Sequence, residues 1–144
     1  MDVANEKYFV DENLPAAEHY ARLRESLGLV SPELEAIETA LVNSLYVVSI
    51  LFKGEMVGCG RVIGDGVSSF IIQEILVQPA HQQRGVDQAI METMLSYLEA
   101  QSGEGSLIGA ICDQHTADFF ERFSFHAAPG PSLAIYHQQT AQDI

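Results

Sequence analysis

Val86, Ile90, Met94 and Leu98 fall four apart, and Met91 and Leu95 widen the same stripe, which predicts a helix from Val86 to about Gln101 with one apolar face. Just before it the pattern changes. Phe70-Ile71-Ile72 and Ile75-Leu76-Val77 form nearly continuous apolar runs, rich in β-branched residues and stopped by Pro79, so Ser68–Val77 reads as a buried strand. Between the two lies the polar loop Gln78 to Gly85. A strand that hands over to a helix through a glycine-containing loop aims several backbone N–H groups at one point, and those groups, with the helix dipole, favour an anion.

The rest of the chain reads in the same way. Residues 6–10 predict a first strand. Ala17, Tyr20, Ala21, Leu23 and Leu27 predict a helix that Gly28 caps at its C-terminus. Ser31-Pro32 predicts the start of a second helix, with Ser31 as N-cap, Pro32 at the first position, and Leu34, Ile37 and Leu41 on its buried face. Tyr46–Phe52, Met56–Ile63 and Ser68–Val77 then predict a three-strand meander, with turns at Lys53-Gly54-Glu55 and Gly64-Asp65-Gly66. After the long helix come a short strand over residues 107–112, a helix from about His115 to Arg122 and a last strand near Leu133–Tyr136. The strand at 107–112 follows a helix, so it is expected to lie parallel to Ser68–Val77. The expected class is α+β, or mixed α/β, with a mostly antiparallel sheet and one parallel pair.

At 144 residues the chain is expected to form one domain over residues 1–144, long enough to bury a core. No apolar run approaches the ~20 residues of a membrane span. The acidic start, Met1-Asp2-Val3-Ala4-Asn5-Glu6, does not read as a secretory signal. Cys59 and Cys112 lack metal-ligand spacing; two small buried core residues in a reduced, cytoplasmic protein account for them. The net charge of −13 argues against nucleic acid and anionic membrane surfaces as partners. Either it only keeps the protein soluble, or it suits a cationic substrate such as an amine.

Glu74 stands out chemically: a carboxyl inside an apolar strand is a candidate general base if burial raises its pKa, and a hydrogen-bonded strand residue otherwise. Asp113 ends the strand at 107–112, as a second polar group at the site or as N-cap of the following helix. His81 and His115 are either proton relays or solvated loop residues. Arg24 and Arg61 either hold a substrate carboxylate or form salt bridges. No cluster at metal spacing is present in the sequence, and no metal is expected.

Val77-Gln78-Pro79, followed by Gln82-Gln83-Arg84-Gly85-Val86-Asp87, resembles the strand-end Val-x-Pro and the (Arg/Gln)-x-x-Gly-x-(Gly/Ala) loop of the GNAT superfamily of acetyl-CoA-dependent acyltransferases. Phe119-Phe120-Glu121-Arg122-Phe123-Ser124-Phe125 is similar to the family's Tyr-Glu-Lys-x-Gly-Phe segment, and Gly58 to Gly66 to small bacterial members. The resemblance spans about residues 46–137. It implies helices on both faces of the sheet and a V-shaped gap between the strands at 68–77 and 107–112. It implies acetyl-CoA, with pantetheine along Ile75, Leu76 and Val77 and pyrophosphate on the loop of Gln82, Gln83, Arg84, Gly85, Val86 and Asp87. A small primary amine would attack the thioester directly, with a homodimer left open. The alternative is a non-catalytic binding or regulatory module of the same fold.

Three departures from the family pattern carry expectations. Asp87 replaces Gly or Ala and is expected either to compete for the amides that a pyrophosphate needs or to point outward. Phe120 stands where many members carry the tyrosine that protonates the leaving thiolate, so that acid is missing there. Gln83 and Ser124 replace residues that are often glycine, so a backbone with positive φ is expected to be strained at both.

Overall fold

The computed structural model describes residues 2–3, 6–112 and 116–126. The described elements run β1 (Asp2–Val3), β2 (Glu6–Asp11), α1 (Ala17–Ser26), α2 (Leu34–Val42), β3 (Tyr46–Phe52), β4 (Glu55–Gly64), β5 (Ser69–Val77), a 3-10 turn (Pro79–His81), α3 (Val86–Gln101), β6 (Leu107–Ala110) and α4 (Ala117–Glu121). The strands lie in sequence order, β1-β2-β3-β4-β5-β6. Every pairing is antiparallel except β5–β6, which is parallel, so the mixed class and the single parallel pair expected from the element order are both present.

Two clusters of buried side chains cover the two faces. Val48, Ile50, Val62, Phe70 and Ile72 pack under Ile90, Met91, Met94 and Leu98 of α3, with Phe120 of α4 beside them. On the other face, Ala17, Tyr20 and Leu23 of α1 and Ile37 and Leu41 of α2 meet Val47, Met56, Cys59 and Leu76. The stripe at spacing four is therefore the buried side of α3, and helices lie on both faces.

Several expectations needed correction. α2 begins at Leu34 with Glu33 at its N-cap, two residues later than Ser31-Pro32 predicts, because the Ser31 hydroxyl instead accepts from Nε of Arg24 (2.9 Å). Leu34 is exposed rather than buried. β6 stops at Ala110, and α4 spans only Ala117–Glu121. Cys59 is buried, but Cys112, beyond the end of β6, is exposed; both are free thiols. The first helix closes as expected. Gly28 (φ 71°) follows it, with Gly28 N–H donating to Glu25 and Leu29 N–H to Arg24, the paired bonds of a glycine-terminated helix. The strand expected at Leu133–Tyr136 lies outside the described residues.

α3 sits close to the sheet for a local reason. A Cβ at Gly58 would stand 2.8 Å from Val86 Cγ1, and one at Gly60 would stand 2.8 Å from Met94 Sδ and collide with Ile90. Two glycines on the same face of β4 thus let the first turns of α3 approach the sheet and fix where that helix begins.

Candidate functional site

Among the described residues, the parallel ladder between β5 and β6 runs from Ser69↔Leu107 to Ile72↔Ala110, extended by one bond from Ile111 N–H to the Ile72 carbonyl. At the same point β5 changes register against β4: Arg61 pairs with Glu74 while Val62 pairs with Ile72. Gln73 is the extra residue of a β-bulge, a device that bends a strand and re-aims its side chains. Ile72 turns its carbonyl toward β6, and six residues later Gln78 donates its N–H to Val57 of β4 (2.8 Å). Without the bulge these even-numbered positions would face the same side. With it, the Val77 carbonyl, on the same peptide as the Gln78 N–H, faces away from β4, and Ile75 follows Val77 in orientation. The second half of β5 therefore turns backbone groups away from β4, on the side where, among the described residues, β6 has already ended. Part of that edge is already used, since Gln82 Nε2 donates to the Val77 carbonyl (3.1 Å).

The bulge also moves side chains. Phe70 and Ile72 belong to the α3 face, whereas Leu76, still an even position, belongs to the α1/α2 face. Glu74 goes with Leu76. Its Oε2 lies 3.0 Å from Nη1 of Arg24 and its Oε1 3.3 Å from Nε of Arg61, so both predicted arginines converge on the predicted base. Arg24 also donates from Nη2 to the Val30 carbonyl (2.8 Å), and Arg61 from Nη1 to the Ser44 hydroxyl (3.3 Å). One carboxylate thus ties together β4, β5, the end of α1, the α1–α2 connection and Ser44, two residues after α2. Burial pushes the Glu74 carboxyl up, to about 7. The two guanidiniums lie against it and favour its ionised form.

The loop after β5 is shaped by its backbone. Gln83 (φ 62°) and Gly85 (φ 82°) both adopt the left-handed conformation, and α3 starts immediately after Gly85. The strain expected at Gln83 is present, as is the one at Ser124 (φ 69°). The N–H groups of Val86 and Asp87 belong to the first turn, where a helix supplies no carbonyl partner. Asp87 is half-buried, and its carboxylate accepts the N–H of Gln88 (2.8 Å). The charge predicted to compete at this helix start is held against it rather than pointed away.

Two other predicted residues have packing roles here. His81 is not a solvated loop residue. It is buried against Tyr8 and Phe52, and its Nδ1 shares a 2.9 Å hydrogen bond with the Tyr8 hydroxyl, which anchors the loop to β2. Phe120 is buried among Phe119 and Phe125 and carries no hydroxyl. Asp113 and His115 lie outside the described residues. A separate cavity of about 240 Å3 between α1 and the β3–β4 turn, lined by His19, Arg22, Lys53 and Gln78 among others, contains none of the predicted site residues. Sequence reasoning missed the bulge and the bond from Gln82. The adjacent polar pair Gln73-Glu74 inside an apolar strand was the available signal for the bulge.

The sequence profile described as the acetyltransferase (GNAT) family matches residues 7–125. The chain is 23% identical over 112 residues to an uncharacterised N-acetyltransferase, ycf52, of Pyropia yezoensis, a match covering 75% of this chain and 63% of that protein's length. Among solved structures, a probable acetyltransferase of unknown function from meticillin-resistant Staphylococcus aureus superposes with a TM-score of 0.84 at 30% identity, covering 92% of this chain and 100% of the other. An acetyltransferase of the same family from Streptococcus pneumoniae superposes with a TM-score of 0.74 at 21% identity, covering 93% and 100%.

Proposed function

We propose, from the premise that this chain belongs to the acetyltransferase (GNAT) family, that it transfers an acetyl group from acetyl-CoA to a small primary amine by direct attack. The observation that carries this reading is the end of the β5–β6 ladder at Ile72, coincident with the bulge at Gln73, beside a loop whose left-handed turns lead into α3.

The residues present fit acetyl-CoA in two places. The opened edge of β5 offers backbone groups of Ile75 and Val77 to the pantetheine amides, with Leu76 between them. The first-turn amides after Gln82, Gln83, Arg84 and Gly85, together with the helix dipole, suit its pyrophosphate. Bound there, acetyl-CoA supplies the activated acetyl group as a thioester.

Glu74 is the proposed proton acceptor, because a carboxyl titrating near 7 is matched to an amine at neutral pH. The acceptor enters as an ammonium and first gives one proton to Glu74. Its nitrogen lone pair then attacks the carbonyl carbon, a C–N bond forms, the C–S bond breaks, and the second nitrogen proton leaves as the thiolate gains one. With Phe120 lacking a hydroxyl, water protonates the thiolate. A cytoplasmic location is part of this reading and is supported by the two free cysteines.

One observation favours the second reading, a fold of this family that serves as a non-catalytic module: the Asp87 carboxylate sits on the first turn of α3, where it repels an anion. Calorimetric titration with acetyl-CoA and with CoA separates the two. Micromolar binding followed by thiol release with an amine panel is expected. No binding at millimolar ligand would overturn acetyl transfer in favour of the module.

A further inference from the structure

The loop between β5 and α3 is held from three strands. Its entry is fixed where Gln78 N–H donates to Val57 of β4 (2.8 Å), and its exit where Val86 packs over Gly58. Between these ends, the two residues that precede Gln83 are each tied to a different strand. Gln82 donates from Nε2 to the Val77 carbonyl of β5 (3.1 Å). His81 reaches β2, 73 residues away, through the 2.9 Å bond between its Nδ1 and the Tyr8 hydroxyl. That bond is closed off from water: Tyr8 and His81 are only 3% and 9% exposed, and the Phe52 ring lies 5.1 Å from one ring and 4.8 Å from the other.

Packing alone does not require a phenol and an imidazole here, because two apolar side chains of the same shape can fill such a space. A satisfied polar pair in a dry site instead fixes one separation and one direction. What it fixes is the point from which the chain runs, through the single extended residue Gln82, to Gln83 (φ 62°). A left-handed conformation at a residue with a Cβ persists only where its surroundings over-determine it. The next left-handed residue, Gly85, carries no such cost, and α3 begins directly after it.

We infer that Tyr8 and His81 are positioning residues for the cofactor loop: their buried bond holds Gln83 in its left-handed turn and so aims the amides at the start of α3 at the pyrophosphate. This deepens the proposed acetyl transfer and rests on it for the identity of the anion. It gives β2, three strands away from β5 in the sheet, a part in binding acetyl-CoA.

The test uses the intact protein. Affinity for acetyl-CoA and for CoA is measured by calorimetry, amide hydrogen exchange is followed over residues 82–90, and thiol release gives kcat and the KM for acetyl-CoA. Tyr8→Phe keeps the ring and removes the hydroxyl. It is expected to weaken acetyl-CoA binding about fivefold, the worth of one hydrogen bond, and to speed exchange over residues 82–90, with kcat at saturating acetyl-CoA within about twofold of wild type. Adding Gln83→Gly is expected to restore most of the lost affinity, since a glycine needs no support to stay left-handed, although that replacement alone changes affinity by less than about twofold. His81→Asn, whose amide can stand in for Nδ1, is expected to lose less affinity than His81→Ala. A Tyr8→Phe variant that melts lower but binds acetyl-CoA as wild type does, or a loss of affinity that Gln83→Gly fails to restore, would overturn the inference. If Tyr8→Phe unfolds the protein, the two His81 variants decide, and equal losses overturn it. No binding of acetyl-CoA by wild type would overturn acetyl transfer; faster exchange over residues 82–90 in Tyr8→Phe would then leave the anchor standing, and unchanged exchange would overturn it too.

Discussion

Gly60 of β4 lies directly beneath Ile90 of α3, with no room between them for even one methyl group. That contact sets the height of α3 above the sheet, and with it the position of the helix start beside the open edge of β5. Gly60→Ala is expected to destabilise the fold by about 1–3 kcal/mol, the usual cost of overpacking a filled core. Urea unfolding gives the change directly. A variant as stable as wild type would mean that α3 is free to shift.

The Asp87 carboxylate accepts the Gln88 N–H in the first turn of α3, where the proposed reading places the cofactor's pyrophosphate. Asp87→Asn keeps an acceptor oxygen and removes the charge. The dissociation constant for acetyl-CoA is expected to fall about fivefold, corresponding to the ~1 kcal/mol repulsion of like charges about 4 Å apart in water. The difference should shrink in high salt. Unchanged affinity at low salt would show that the carboxylate does not face the ligand.

Glu74 makes a signed prediction about pH. Its ordinary value of 4.5 describes the unfolded chain, and burial raises it to about 7 in the fold. Between those values the folded state binds more protons than the unfolded state, so stability falls as pH rises. The contribution is fully present below 4.5 and is lost as pH climbs through 7. Acid-base activity has the opposite slope, rising as the carboxylate forms. Glu74→Gln should flatten the stability slope between about pH 5 and 7 and lower the acetyl-transfer rate about 100-fold or more. At pH 8 it should also destabilise the fold, because two guanidiniums lose an anion they share. Parallel pH–stability curves for variant and wild type would remove Glu74 from both roles.

Gln83 holds a left-handed backbone without being glycine. Gln83→Gly is expected to stabilise the protein by about 0.5–1 kcal/mol, the relief of that strain less the extra freedom of the unfolded chain. A lowered melting temperature would show that the Gln83 side chain contributes more than its backbone costs.

The two thiols should separate cleanly. Cys112 is exposed, while Cys59 is buried, with burial pushing its thiol up to about 12. A thiol reagent at neutral pH is expected to modify Cys112 in the native protein and Cys59 only after denaturant is added. Fast modification of both in the native state would mean that the α1/α2 face opens readily.

The spacing of Val86, Ile90, Met94 and Leu98, the β-branched runs of β3 to β5, and Gly28 after α1 all specified their elements from the sequence. Such signals are local: a helix face repeats every three to four residues, and a glycine tolerates a left-handed turn wherever it stands. The strain at Gln83 and Ser124 was legible for the same reason, since it depends only on what those positions lack. Ser31 shows where local reading fails. Its hydroxyl suits a helix cap, but Arg24 takes it, and α2 starts later.

The candidate site was legible as a set of residues but not as an arrangement. Phe70 to Val77 is apolar at six of its eight positions, so only the adjacent polar pair Gln73-Glu74 hints at a bulge, and it does not say that Glu74 goes to the α1/α2 face. Arg24 and Glu74 are 50 residues apart, Arg61 and Glu74 13 apart, and no period in a sequence links them. The sequence determined the elements, the class of the sheet and the residues able to do chemistry, because propensity and periodicity act over a few neighbouring positions. Only the tertiary structure decided which face those residues occupy and what partners they find, because a bulge and an ion pair are settled by contacts between segments.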